Sequence, residues 1–261
     1  MGGTKSYREL QHLGQVDSVG KFLDVINKKL DGSARSLFRG HRREDWPLKP
    51  SIARQSIASK SDEAKMLDEF VRRAAPYTES TRAFSQTDWL AVAQHHGMPT
   101  RLLDWTGSAL AALWFAVEKP ADGNTAGAVW MLPYAVNDVL PAGANGEAPF
   151  ELSRTVLIRP RHVTQRITAQ DGWFTLHRRH SPSRTKASGP VFIGLETNVE
   201  FRERLNFVTI PPAAFGQIRV ELATAGVTAA VIYPDLGGIA RYVTWAHLHA
   251  ANELNYRAGD L

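Results

Sequence analysis

Apolar positions recur at helical spacing over 16–30, where Val19, Phe22, Leu23, Val25, Ile26 and Leu30 share a face. Asp31-Gly32-Ser33 ends that helix, and 36–40 is short enough for a strand. Over 61–77, Met66, Leu67, Phe70, Val71 and Ala74 form the stripe of an amphipathic helix. A further helix is predicted over 88–93, capped by Thr87 and stopped by Gly97. The run 101–105 reads as a strand, and the Ala-rich 108–119 as a buried helix. Strands are expected over 126–132, 155–158, 173–176, 190–194 and 206–210, and a Gly- and Ala-rich loop over 142–149. A helix over 215–225 closes at Gly226, a β-rich run follows over 228–233, and 235–254 reads as a terminal helix.

Helices come early, strands later, and no regular βαβ alternation appears. That order predicts an α+β fold, read as a single domain over 1–261 without repeats.

Composition narrows the class. A hydrophobic fraction of 43% with seven Trp and eleven Phe can fill a core. No apolar run reaches membrane-spanning length, so no membrane partner is expected. The start carries no secretory pattern, and a cytoplasmic location is the default expectation. Zero Cys excludes disulfides, thiolate zinc sites and a Cys nucleophile. The pairs His177/His180 and His247/His249 lack supporting ligands at diagnostic spacing, so no metal is expected. P-loop, Gly-x-Gly-x-x-Gly, His-Glu-x-x-His and Gly-x-Ser-x-Gly patterns are missing.

The net charge of +5 is uneven. Arg159, Arg161, Arg166, Arg178, Arg179, Arg184 and Lys186 face one acid, Asp171, within a single segment. Together with Trp173 and Phe174, this segment suits an RNA or DNA partner, with Arg166, Arg178, Arg179 and Arg184 as contacts. A merely solvated basic face is the alternative.

Two motifs concentrate polar chemistry between apolar runs. One is Gln94-His95-His96-Gly97-Met98-Pro99-Thr100-Arg101-Leu102-Leu103-Asp104-Trp105-Thr106. Polar groups wedged between core elements need partners, and such groups often form a site. The other is Leu37-Phe38-Arg39-Gly40-His41, followed by Trp46-Pro47-Leu48-Lys49-Pro50-Ser51. Gly40 lets another group approach the backbone, and a guanidinium beside bare backbone suits phosphate or carboxylate. Three plainer roles compete: Arg39 bonded to carbonyls, His95 closing a helix, and Asp104 paired with Arg101 or His95.

Phe38-Arg39-Gly40, the 94–106 block and the Ala-rich helix resemble the FRG-domain family, named for its Phe-Arg-Gly. Gln170-Asp171-Gly172-Trp173-Phe174-Thr175 and Tyr233-Pro234-Asp235-Leu236-Gly237-Gly238-Ile239-Ala240 are similar to its later blocks. The resemblance runs over about 17–245, with 178–205 read as an insertion or divergent segment. Two positions depart from the family pattern: His96 stands for an aromatic and Met98 for an aliphatic.

The chain also resembles the ADP-ribosyltransferases, whose sites begin with an aromatic-Arg-Gly strand followed by a strand and an Ala- and Phe-rich helix. Here Asp104-Trp105-Thr106 stands where that superfamily carries Ser-Thr-Ser. The resemblance implies a split β-sheet flanked by helices, with NAD as substrate. It assigns Arg39, His95, Asp104 and Gln170 to catalysis, and Arg39, Gly40, Arg101 and Thr106 to NAD binding. The usual catalytic Glu is missing; Gln170 is the preferred third-block residue, with Glu196 or Glu200 as rival carboxylates. The implied setting is a toxin or phage-defence effector, with nucleic acid as acceptor and an antitoxin or other defence-system protein as partner. An NAD glycohydrolase and a non-catalytic nucleic-acid- or nucleotide-binding module are the alternatives.

Overall fold

In β2 (Ser36–His41) the pleat sends Leu37, Arg39 and His41 to one face and Phe38 and Gly40 to the other. That alternation matters because β2 lies near the middle of the sheet. A computed structural model of the chain describes residues 11–30, 35–55, 60–77, 84–140, 149–159, 170–180 and 192–255. The other strands are β1 (Gln11–Gln15), β3 (Leu102–Thr106), β4 (Gly127–Pro133), β5 (Val156–Ile158), β6 (Gly172–Leu176) and β7 (Asn206–Ile210). They form one mixed sheet in the order β1-β7-β4-β2-β3-β6-β5. Only the β1–β7 pair among them is parallel.

The helices are α1 (Val19–Leu30), α2 (Lys60–Ala74), α3 (Gln86–His95), α4 (Ala109–Val117), α5 (Phe215–Thr224), α6 (Ala229–Ile232), α7 (Leu236–Leu248) and α8 (Ala250–Asn255). The fold is α+β, as the order of elements predicts. Three apolar clusters hold it. Phe38, Val129 and Val208 pack with α1, α4 and α5. Leu102, Phe174 and Leu176 pack with α2 and α3. On the face that carries Leu37, the cluster holds Leu103, Trp105 and Trp130, with Leu195, Phe201 and Leu205 from the segment read as divergent.

The sheet has a weak seam. β2 pairs with β4 from Ser36 to His41, and β3 pairs with β6 along its whole length. Between β2 and β3 the register holds a single pair, Phe38 with Thr106. Beyond it the ladder stops, and Arg39 Nη1 donates to the Asp104 carbonyl at 2.7 Å, joining the strands by a side chain.

Gly40 explains part of this arrangement. A Cβ there would lie 1.9 Å from the Ala112 carbonyl oxygen and 2.6 Å from the Ala116 nitrogen. The group admitted by the missing side chain is therefore the backbone of α4, and Gly40 acts in helix–strand packing. Gly40→Ala is expected to lower stability by about 3 kcal/mol or more, since rigid backbone cannot yield as a side chain does. A thermal melt checks this; a midpoint within a degree of wild type would contradict the close packing.

Four local expectations need correction. The cap of α3 is Ser85, two residues before Thr87, because Ser85 and Asp88 bond reciprocally in a capping box. Gly97 does stop α3, with φ at +87°. The run 228–233 contains the helical turn α6, not a strand; its Tyr233 and Ala229 carbonyls meet Gly238 of α7 so closely that a Cβ would clash. Residues 192–194 are irregular, with 190 and 191 outside the described residues, and the terminal helix is broken at His249 into α7 and α8. The pattern also gave no sign of β1, an edge strand of mostly polar residues. Among the described residues, no helix is long and apolar enough to cross a membrane.

Candidate functional site

The seam opens into a cleft of about 440 Å³. Arg39 and His41 enter it from one face of β2, and Phe115 of α4 contributes from the other. Arg39 lines it with a side chain 20% exposed. Its Nε donates to His41 Nε2 at 2.8 Å, its Nη1 bonds the Asp104 carbonyl, and its Nη1 lies 3.6 Å from Asp104 Oδ2. Asp104 is 61% exposed and accepts from Gln94 Nε2 at 2.8 Å. Gln94 Oε1 in turn accepts from the buried Thr100 hydroxyl. The result is a continuous chain, His41–Arg39–Asp104–Gln94–Thr100, which fixes the guanidinium and the carboxylate.

The charges are uneven. Burial disfavours the charge on Arg39, Asp104 supports it, and the nearby Arg54 opposes it. Burial, with the charges of Arg39 and Arg54, holds His41 well below its ordinary value, so it is neutral and can accept from Arg39. Arg42, Arg54 and Lys119 also line the cleft, against the carboxylates of Asp104 and Glu118. Burial pushes Glu118 above the ordinary carboxylate range, partly countered by Lys119, Arg241 and Arg42. Such a cleft favours an anion.

The structure brings together Arg39, His95, Asp104 and Gln170, all of which line the cleft. His95 is the last residue of α3, half-buried at the cleft edge. Gln170 is also a tether: its Nε2 donates to the Ile232 carbonyl at 3.1 Å, and its carbonyl accepts from the Thr106 hydroxyl. Thr106 lies in the cleft wall, but its hydroxyl also accepts from Ser108 N at the start of α4. It therefore braces β3, α4 and Gln170 through local bonds.

Arg101 does not join the site. It is fully buried, bidentate to Glu63 of α2 at 2.7 and 2.5 Å, with Nη1 on the Pro149 carbonyl at 2.7 Å. Its donors are drawn into the interior, so it is not among the residues lining the cleft, where the NAD-binding role expected of it would place it. Glu196 and Glu200 are likewise outside the cleft lining. Glu196 is buried and accepts from Leu48 N, while Glu200 is exposed. Within the basic segment Arg178 is exposed, but Arg179 is only 7% exposed, so it cannot belong to a solvated face. Arg166 and Arg184 lie outside the described residues.

Residues 34–125 match the family model of the FRG domain. Over that span the chain is similar to the FRG domain. The matched span is narrower than the resemblance read over about 17–245, and it contains β2, α3, β3 and α4, hence most of the cleft wall. Gln170, Trp173 and Tyr233 reach the cleft from outside that span. No curated protein and no solved structure matches the chain significantly.

Sequence reasoning missed Trp46, Arg54, Glu118 and Tyr233 as cleft residues. Glu118 had a signal, because it directly follows the apolar face of α4 and a charge at a buried helix's end must turn to a cavity or to solvent. Arg54 had none, since it ends the short turn Ser51–Arg54, whose direction depends on packing.

His177 is buried, and burial, aided by Arg39 and Arg101, holds it down to about 3. The unfolded chain binds that proton near 6.5, so its contribution to stability is lost as pH falls from about 6.5 towards 3. His177→Gln is expected to flatten the fall of the thermal midpoint between pH 6.5 and 4. Equal slopes for both proteins would contradict a neutral buried imidazole.

Proposed function

We propose that the cleft binds NAD and that the protein is an ADP-ribosyltransferase with a nucleic acid as acceptor. The observation that carries this reading is Arg39: a fixed guanidinium at the β2–β3 seam, beside Arg54, with one nearby carboxylate 3.6 Å away. Cations left underneutralised in a cleft suit a pyrophosphate, which takes two guanidinium donors well. The aromatic rings of Trp46, Phe115 and Tyr233 supply the flat surfaces that a dinucleotide uses.

In this reading the bond between ribose C1′ and the nicotinamide nitrogen breaks, and its electron pair leaves with nicotinamide. A bond forms between C1′ and an acceptor oxygen or nitrogen, whose proton passes to a carboxylate. Asp104, exposed and fixed by Gln94, is suited to face the positive charge that develops on the ribose. Glu118, with its raised proton affinity, is the second carboxylate on the cleft wall and suits proton uptake. Arg178 and the cleft cations favour a polyanionic acceptor. A toxin or defence effector held by a partner protein is the setting proposed with it.

Incubation with NAD labelled in its adenylate phosphate, plus RNA or DNA, tests the reading. Label in the nucleic acid with release of nicotinamide is the expected result. Nicotinamide release without transfer favours a glycohydrolase. Binding without release favours a nucleotide-binding module, the second reading, which draws on the displacement of Glu196 and Glu200 from the cleft.

A further inference from the structure

The turn after β2 presents an indole to the cleft in an unusual way. Trp46 is 40% exposed, while most of the chain's tryptophans are buried. Its turn is nevertheless pinned. Arg43 bonds Asp45 at 2.9 and 2.7 Å and Asp122, beyond α4, at 2.9 Å. Glu44 N donates to the Ala126 carbonyl at 2.8 Å. The ring meets His41 edge-on at 6.0 Å, and the Arg42 guanidinium lies 5.8 Å from its centroid. A large apolar ring held rigid yet left open is prepared for a flat partner, because little freedom remains to be lost on binding.

Its place in the cleft gives the partner's chemistry. From Trp46 the contacts run to His41, then to Arg39, then to Asp104. The order is therefore aromatic platform, cation, carboxylate. A nucleoside diphosphate runs in the same direction: a base, its ribose, the pyrophosphate and then, in a dinucleotide, the second ribose.

We infer that Trp46, with Arg42, is the base-stacking platform of the cleft, and that it orients a nucleoside diphosphate with its pyrophosphate on Arg39. This rests on the nucleotide reading given above and adds the direction in which the ligand lies. The second ribose of a dinucleotide then falls beside Asp104.

Calorimetric titration with ADP and with inorganic pyrophosphate separates the two ideas. Wild type is expected to bind both. Trp46→Ala should weaken ADP about tenfold or more, in the range of one base–aromatic stack, and leave pyrophosphate within about twofold. Trp46→Phe, which keeps a ring, should recover most of the loss, whereas Arg39→Ala should weaken both probes. ADP affinity unchanged in Trp46→Ala overturns the platform while leaving the nucleotide reading intact. Failure of wild type to bind either probe overturns the nucleotide reading itself. Should Trp46→Ala not fold, the indole N–H resonance of Trp46 in wild type, identified by its loss in Trp46→Phe, decides. A shift with ADP and none with pyrophosphate supports the platform, and no shift at saturating ADP overturns it.

Discussion

Arg39→Ala is expected to abolish NAD turnover and to weaken pyrophosphate binding by roughly 30-fold or more, the effect of removing about 2–5 kcal/mol of charged hydrogen bonding. The fold should survive. Arg39 bonds one backbone carbonyl and one imidazole and faces the exposed Asp104 carboxylate at 3.6 Å, and each such contact contributes on the order of 1 kcal/mol net. Removing it also relieves the repulsion from Arg54. The thermal midpoint should therefore drop by only a few degrees. Arg39→Lys should restore little, since one ammonium cannot reproduce the planar fork that reaches both Asp104 O and His41 Nε2. A large fall in midpoint with unaltered pyrophosphate binding would mean that Arg39 only ties β2 to β3.

The largest loss of stability is expected at the pair Glu63–Arg101. Both side chains are withdrawn from solvent, and the guanidinium also lies 4.8 Å from the centre of the Phe150 ring. Glu63 bears a further load, for it also supports the charge of the buried Arg179. Glu63→Ala leaves buried cations without their carboxylate, so a cost of about 3–5 kcal/mol is expected. That corresponds to a midpoint lower by on the order of 10 °C. Replacing both partners, Glu63→Leu with Arg101→Met, should recover much of the loss, because the desolvation of both charges is removed with them. ADP affinity measured below the melt should be unchanged in the double variant. A loss of ADP binding with an unchanged midpoint would return Arg101 to the nucleotide site.

Much of this contrast was hidden in the sequence. Arg39 and Arg101 both occur in short strand-like runs with apolar neighbours, and both were expected to bind NAD. Their fates differ because β2 carries Arg39 to an open seam, whereas Arg101 precedes β3 and turns into the interior towards Glu63, 38 residues earlier. A pairing at that distance leaves no local pattern. Gly40 was legible as a close approach, but not what approaches; that depends on where α4 crosses the sheet.

The elements themselves were easier to read. α1, α2 and α4 show helical periodicity or buried Ala-rich runs, and β2, β3, β4 and β7 lie where short apolar runs end in turns. β1 escaped because an edge strand with exposed ends needs no alternation, and α6 because Val231 and Ile232 share β-branching with strand residues. Asp104 and His95 were visible as a polar cluster. That the cluster meets Arg39 was expected from the sharp turn at Gly97 and Pro99, and the sheet order, in which β2 and β3 are neighbours, supplies the contact.

The proposal stands or falls on whether the cleft at the β2–β3 seam consumes NAD. Its most direct test is chromatographic measurement of nicotinamide released from NAD by wild type and by Arg39→Ala, with RNA and DNA present as acceptors. Release by wild type, abolished in a folded Arg39→Ala, is the expected result. NAD recovered intact from wild type under every acceptor condition, or released equally by Arg39→Ala, would contradict the claim.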